Sequence, residues 1–550
     1  MLTSETKRRI DARRDVLVGK LPQPSNQVEL ITLALIYKFM DDLDEESVKL
    51  GGKRSFFTGE LAKYRWRNLL PQTVSAEERV TLFSEGIEAL GHPKKAAHLP
   101  GLFRDIFRNA LLKFRDGRIL TMFLTEVNGF AYSHSEELGN AFEYLLQCTG
   151  AQGENGQFRT PRHIIDFIVA CLDPQPGDKI LDPACGTGGF LVSAYRHLLA
   201  HSTSPGSTMP GDKLTHAQRQ KVYGNLAGYD VDDQMVKLSK VNLFLHGFPD
   251  PAIHIYDTLS NDARWHERAD LILANPPFMT PKGGVNPHTK FRIAAKKAEV
   301  LFTDYIAEHL SSDGRGGVIV PNGIVATTQN AYVKLRRFLV EDSLVAVVSL
   351  PAGVFKPYSG VKTSILLLDK KLARQTKEIL FLKITADGFD LGDKRNPIEA
   401  NDLPEAERTV KAFFKGKLSA DATSQVTWKL IEKSEPLGAL DSDCLFSLRE
   451  DLGQQPRPRS PLSGHGNPTV CGALPEFHFH RELRDGRGAT QVESGSIELH
   501  RNPPAALGGA TSDRGGAGRG GGADGGGACA APPLRGQNPT RPRPRVGQWD

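Results

Sequence analysis

DKILDPACGTGGFLVSAYRHLL, residues 178–199, changes character twice in 22 positions. A short apolar run ends at Asp182, a loop carries Gly186, Gly188 and Gly189, and apolar residues then recur at helical spacing from Phe190. Glycines in such a loop let the backbone turn tightly and let a ligand come close to it, so the stretch reads as strand, ligand-facing turn and helix. It is not a P-loop, because no Gly-Lys-Ser/Thr follows.

The same pattern extends along the chain. β-rich runs occur at 178–184, 226–230, 252–257, 269–275, 316–321, 343–350 and 363–369, mostly with amphipathic segments between them. Seven strands alternating with helices predict a doubly wound α/β sheet. The last two runs are joined by PAGVFKPYSGVK without a helix, which predicts an antiparallel pair.

Before this region, residues 1–150 place apolar residues at helical spacing, as in VELITLALIYKFMDDLDEESVKL, and predict a helical domain. The sheet domain is assigned to 151–435. Beyond Lys433, the last lysine, basic residues are all arginine amid Gly, Pro and Ala, so 436–550 is expected to be a disordered tail. Two readings of that tail stay open: a basic arm for nucleic acid, or a reading-frame change that replaced the natural end.

Composition narrows the class. With 39% hydrophobic and 24% charged residues the chain is ordinary for a soluble globular protein, and a net charge of +5 is compatible with nucleic acid without demanding it. The six cysteines form no CxxC pair and no Cys/His cluster, which predicts neither a metal site nor a disulfide framework. The longest apolar stretch, Leu30 to Tyr37, is too short to span a bilayer, and the expected location is the cytoplasm.

Candidate site residues gather at strand ends. Asp182 ends the first strand, Asp230 the second and Asp257 the third, on the rim where open α/β sheets bind ligands. The fourth strand stops at Asn275-Pro276-Pro277-Phe278. Neither proline can donate to a ladder, and each holds the preceding residue extended, so the strand end becomes a stiff rim of acceptors. On its own the glycine loop serves a dinucleotide, an S-adenosyl donor or no ligand at all.

Taken together, Asp182-Pro-Ala-Cys-Gly-Thr-Gly-Gly-Phe190, Asp230 and Asn275-Pro-Pro-Phe278 resemble the S-adenosylmethionine-dependent amino-methyltransferases of DNA. Gly156-Gln157-Phe158-Arg159-Thr160-Pro161-Arg162 is similar to the amino-terminal cofactor motif of their adenine-specific branch. LITLALIYKFMDDLD and SLPAGVFKPYSGVKTSILLLDK resemble the modification subunit of type I restriction-modification systems, over roughly residues 25–435.

This resemblance implies a Rossmann-like methyltransferase sheet and S-adenosyl-L-methionine as cofactor. It implies a cofactor site formed by Gln157, Phe158, Arg159, Thr160, Pro161, Arg162, Asp182, Ala184, Gly186, Thr187, Gly188, Gly189, Asp230 and Asp257. Thr160 would take the donor carboxylate, Asp182 the ammonium, Asp230 the ribose hydroxyls and Asp257 the adenine. Asn275, Pro276, Pro277 and Phe278 would be catalytic, presenting acceptors to N6 of a flipped adenine and a ring to stack on it. A cytosine-C5 enzyme is excluded, since no Pro-Cys dipeptide occurs.

The implied partners are double-stranded DNA, a specificity subunit and a restriction (translocase and nuclease) subunit, with two copies of this chain per specificity subunit. No sequence-reading, translocase or nuclease motif stands out in the chain itself. Asn-Pro-Pro-aromatic also suits methyltransferases of protein glutamine or of RNA guanine, and a non-catalytic scaffold that keeps the pocket is the other alternative.

Overall fold

The computed structural model describes residues 8, 11, 14–130, 135–149, 160–278, 285–357, 359–418 and 426–434. All of them fall in one compact unit, Met1–Arg459. The expected tail, 436–550, lies outside the described residues, as do Gln157, Phe158 and Arg159.

The amino-terminal part is helical. α1 (Pro24–Lys49), α2 (Ala76–Gly91), α3 (Gly101–Phe107), α4 (Gly117–Asn128) and α5 (Ser135–Thr149) enclose a core of their own. Burial of α1 from Leu30 through Asp41 without interruption makes it the central rod of that core, as expected of a helix apolar nearly all round. Tyr37 sits at its centre among Phe57, Trp66, Phe83 and Phe107, with ring centroids 5.6–6.0 Å away.

Next come α6 (Arg162–Leu172), β1 (Ile180–Asp182), α7 (Gly189–His201), α8 (His216–Asn225), β2 (Leu226–Asp230), α9 (Asp233–Leu245), β3 (Ala252–Ile255) and β4 (Ala269–Ala274). They are followed by α10 (Ala298–His309), β5 (Leu310–Pro321), α11 (Asn322–Ala326), α12 (Asn330–Asp342), β6 (Leu344–Ser349), β7 (Thr363–Asp369), α13 (Lys370–Gln375) and β8 (Glu378–Lys383). A small hairpin of β9 (Asp387–Phe389) and β10 (Pro397–Asn401), then α14 (Leu403–Phe414) and β11 (Thr427–Glu432), complete the described elements.

All seven expected strands are present, in a nine-stranded sheet ordered β11-β8-β6-β7-β5-β4-β1-β2-β3. β6 and β7 are antiparallel, as the missing helix between them required. The two additional strands extend the sheet beyond β6, β8 joining it in parallel and β11 closing the edge antiparallel to β8. β1 lies between β2 and β4, so the chain winds outward in both directions from it, and the crevice at the carboxyl ends of these strands is the ligand-binding position of open α/β sheets. Register fixes the rim: Asp182 pairs with Gly228, two residues before Asp230, and Leu181 pairs with Ile272, three before Asn275.

The helical part and the sheet share one helix. Val241 and Leu245 of α9 belong to the helical core, while Val236 and Leu243 face the sheet. Two ion pairs reinforce the junction, Lys240 to Asp105 at 2.6 Å and Arg108 to Asp233 at 3.3 Å.

Candidate active site at the carboxyl edge of the sheet

The glycine loop between β1 and α7 is tied at several points. Gly186 (φ +51°) and Gly188 (φ +76°) lie in the left-handed region that other residues rarely occupy. A Cβ on Gly188 would come within 2.6 Å of the Ser239 hydroxyl oxygen. Cys185 N–H donates to Tyr229 O at 2.8 Å, and Asn242 Nδ2 donates to Thr187 O at 2.9 Å. Thr258 Oγ1 donates to Pro183 O at 2.7 Å, so β2, α9 and the loop after β3 all hold this turn.

Three acids mark the rim, each with a different environment. Asp182 is 1% exposed and accepts from Ala184 N–H at 3.1 Å. Burial pushes its carboxyl well above the usual carboxylate range, opposed by the Ala184 N–H and reinforced by the charge of Asp230. Asp230 is half-buried at the end of β2, where its two oxygens accept from Gly186 N–H and Asp232 N–H, both at 2.9 Å. Burial raises its pKa too, with those two N–H groups acting the other way. Asp257 stands two residues beyond β3 and caps its own loop, accepting from Leu259 N–H at 2.9 Å, Ser260 N–H at 3.2 Å and the Ser260 hydroxyl.

On the other side of β1, β4 stops where the prolines require. Pro276 is buried, Pro277 exposed, and Asn275 and Phe278 half-buried. Asn275 Nδ2 donates to Thr160 Oγ1 at 2.8 Å, a contact between residues 115 positions apart. Phe278 meets Phe355 edge-on, with ring centroids 6.1 Å apart. The NPPF turn, Thr160 and the PAGVF loop therefore meet at one place on the rim.

Beside Thr160 opens a cavity of about 390 Å³, whose walls include Arg162, His163, Gly189, Val354 and Arg395. Arg162 is oriented by Glu143 of α5 at 2.5 Å. Behind the wall, the fully buried Asp387 binds His163 Nε2 at 2.9 Å and pairs with Arg395, while Phe389 lies against the His163 ring with centroids 4.6 Å apart. Burial raises the Asp387 pKa, but His163 and Arg395 outweigh it and leave the carboxyl below its ordinary range.

The structure thus gathers Thr160, Pro161, Arg162, Asp182, Ala184, Gly186, Thr187, Gly188, Gly189, Asp230 and Asn275 to Phe278 around the carboxyl edge, with Asp257 at its margin on a loop it caps. Sequence reasoning missed the residues that support them. Ser239 and Asn242 on α9 are fully buried polar residues three apart, a signal visible in the sequence once α9 is known to be covered on that face. Asp387 carries no local signal, because its partner His163 is more than two hundred residues upstream.

Among the described residues no helix is long and apolar enough to cross a membrane.

Among curated relatives, the EcoEI methylase subunit of a type I restriction enzyme of Escherichia coli is 31% identical over 309 residues, 54% of this chain and 59% of that protein. The EcoKI methylase subunit of Escherichia coli K12 is 26% identical over 320 residues, 56% of this chain and 58% of that one. The chain therefore spans less than two thirds of the length of these relatives.

A chain from a type I restriction-modification system, solved for its complex assembly and conformational transition, superposes with a TM-score of 0.62 at 24% identity, covering 82% of this chain and 96% of that one. The type I methyltransferase subunit of Streptococcus thermophilus gives 0.59 at 17% identity, covering 78% and 96%. Likenesses at such identities establish the fold. The model of the N-6 DNA Methylase family matches residues 133–435, more than half of the sequence, and the chain belongs to that family.

Proposed function

We propose that this chain is the modification subunit of a type I restriction-modification system and methylates N6 of an adenine flipped out of double-stranded DNA. The observation that carries the reading is Asn275, held half-buried at the end of β4 by a bond to Thr160 and flanked by Pro276 and Phe278. The glycine loop fits S-adenosylmethionine: two positive-φ glycines expose backbone beside a buried Asp182 and a half-buried Asp230, at the switch point of the sheet. Thr160, Pro161, Arg162, Asp182, Ala184, the loop from Gly186 to Gly189, Asp230 and Asp257 would hold it, with Gln157, Phe158 and Arg159 completing the site.

When bound, S-adenosylmethionine supplies a methyl carbon made electrophilic by its sulfonium, which keeps the electron pair of the broken C–S bond. The protein's task is to make a poor nucleophile competent. The N6 lone pair of adenine is delocalised into the ring. Hydrogen bonds from the amino group to Asn275 Oδ1 and the Pro276 carbonyl would favour a pyramidal nitrogen whose lone pair points at the methyl carbon. As the N–C bond forms, N6 releases one proton to water, since neither acceptor is a base at neutral pH. Positioning and fixed dipoles therefore carry the catalysis, without a covalent intermediate. Phe278, braced by Phe355, would stack on the extruded base and offset part of the cost of unstacking it.

Division of labour follows. Residues 151–435 bind the donor and transfer the methyl group, and residues 1–150 dock on a specificity subunit that reads the DNA, two copies of this chain to one reader. Co-expression with the neighbouring specificity protein should place N6-methyladenine at one sequence motif of the host genome, and the chain expressed alone should place none. Sequence-specific methylation by the chain alone, read by modified-base sequencing, would refute the assignment of reading to a partner.

Asp230 gives this reading a pH signature. A ribose hydroxyl donates to a carboxylate better than to a carboxyl, so donor affinity should fall as pH drops through the Asp230 pKa. Burial has raised that pKa, so the fall should begin above the ordinary carboxylate range. Calorimetry across the acid range is expected to show it for the parental chain and not for Asp230→Asn. Matching profiles would remove Asp230 from the cofactor site.

A further inference from the structure

We infer that Thr160 is a positioning residue for the methylated base, acting through Asn275; the inference rests on the amino-methyltransferase reading above. A carboxamide has a donor end and an acceptor end of nearly equal size, and only the acceptor end can receive a proton from N6. Something must select the orientation. Here Asn275 Nδ2 donates to Thr160 Oγ1 at 2.8 Å, which commits the nitrogen end to Thr160 and turns Oδ1 to the opposite side of the carboxamide.

A hydroxyl alone does not enforce this choice, since it can donate as readily as accept. The selection becomes firm once the Thr160 proton is committed elsewhere. Thr160 lines the cavity that also reaches Arg162 and Gly189 at the start of α7, beside the glycine loop, so an anionic group of the cofactor there would take that proton. With its proton given away, Thr160 can only accept, and the carboxamide is held with Oδ1 turned away from Thr160. The hydrogen bonds then run in one direction, from the base amine to Asn275, from Asn275 to Thr160 and from Thr160 to the cofactor carboxylate. Cofactor occupancy thereby sets the polarity of the base site.

Both partners are well fixed. Thr160 immediately precedes Pro161, the residue capping α6, whose carbonyl accepts from Ile164 and Ile165 N–H at 3.1 Å each. Asn275 is held extended by Pro276.

The test uses the chain assembled with its specificity protein, and compares Thr160→Val, which keeps shape and loses the hydroxyl, with Thr160→Ser, which keeps the hydroxyl. Three quantities are read: S-adenosylmethionine affinity by calorimetry, the single-turnover rate at saturating cofactor, and affinity without turnover, with S-adenosylhomocysteine bound, for duplexes carrying adenine or purine at the target position. Thr160→Val should slow transfer about tenfold to a hundredfold even when saturated, since misplacing one contact by about 1 Å costs on the order of a hundredfold. It should also reduce the preference for adenine over purine by about threefold to tenfold, the value of one net hydrogen bond. Thr160→Ser should restore most of both.

In an Asn275→Ala background, Thr160→Val should add less than about twofold to the rate loss, as expected of two residues acting as one unit. A parental saturated rate and adenine preference for Thr160→Val, with only cofactor affinity reduced, would overturn the proposal, as would fully additive losses in the double variant. A parental complex that transfers no methyl group to DNA would overturn the adenine reading and this inference together.

Discussion

Replacing Asn275 with alanine should leave a folded chain that binds S-adenosylmethionine normally but methylates DNA about a hundredfold to a thousandfold more slowly, the usual loss for one preorganised polar contact at a reacting centre. The fold should tolerate the change because Asn275 follows β4 rather than belonging to it, and because the hydrogen bond given up to Thr160 is worth about 1 kcal/mol. Calorimetric titration and single-turnover methylation, run on the same preparation, separate the two effects. Parental turnover by the alanine variant would end the mechanism proposed for the NPPF turn.

The largest stability effect is expected away from the rim. Asp387 is fully buried and is shared by His163 and by Arg395, whose side chain is only 11% exposed. Asp387→Ala would leave that guanidinium poorly solvated and unmatched. A loss of about 2–3 kcal/mol is expected, somewhat less than for fully buried pairs because His163 keeps some access to water. Asp387→Asn, which retains an acceptor, should lose less.

The sign with pH follows from the depressed Asp387 pKa. Its stabilising contribution is fully present above the unfolded carboxylate value and fades as pH falls through the lower folded value. Urea midpoints of parental and alanine chains should therefore differ at neutral pH and approach each other in strong acid. Equal midpoints at pH 7 would show that the cluster contributes nothing.

These two sites differ in how far the sequence exposed them. The strands LAGYD and TSILLLD end where their runs of apolar residues end, because a strand covered on both faces has to be apolar throughout. The glycine loop and the NPPF turn were legible for a related reason, since positive φ and a lost N–H donor are demands that only particular residue types meet. Strands β8 and β11 were not read, although Glu378–Lys383 is as apolar as its neighbours. What makes it part of the sheet is parallel pairing with β6 across more than thirty residues, and pairing partners leave no local trace.

The same limit separates Asn275 from its partner. Each side of the Thr160–Asn275 bond was recognisable by type, but their meeting across 115 residues depends on how the start of α6 is carried to the end of β4 by the packing of the whole domain. The Asp182 environment was also beyond reach: its place on the rim was legible, and its near-complete burial under the loop it supports was not.

The helix α9 has a consequence for how such proteins can be recombined. Along about two turns it alternates allegiance: Ser239 and Asn242 serve the glycine loop, while Val241 and Leu245 serve the helical core. A chimera that imports residues 1–150 from a relative would press a foreign surface against the same rod that fixes Thr187 and crowds Gly188. The natural seam for exchange is therefore discontinuous in sequence, since a transplanted helical part has to bring its own version of α9 with it, and grafts cut at residue 150 alone should arrive with a displaced loop.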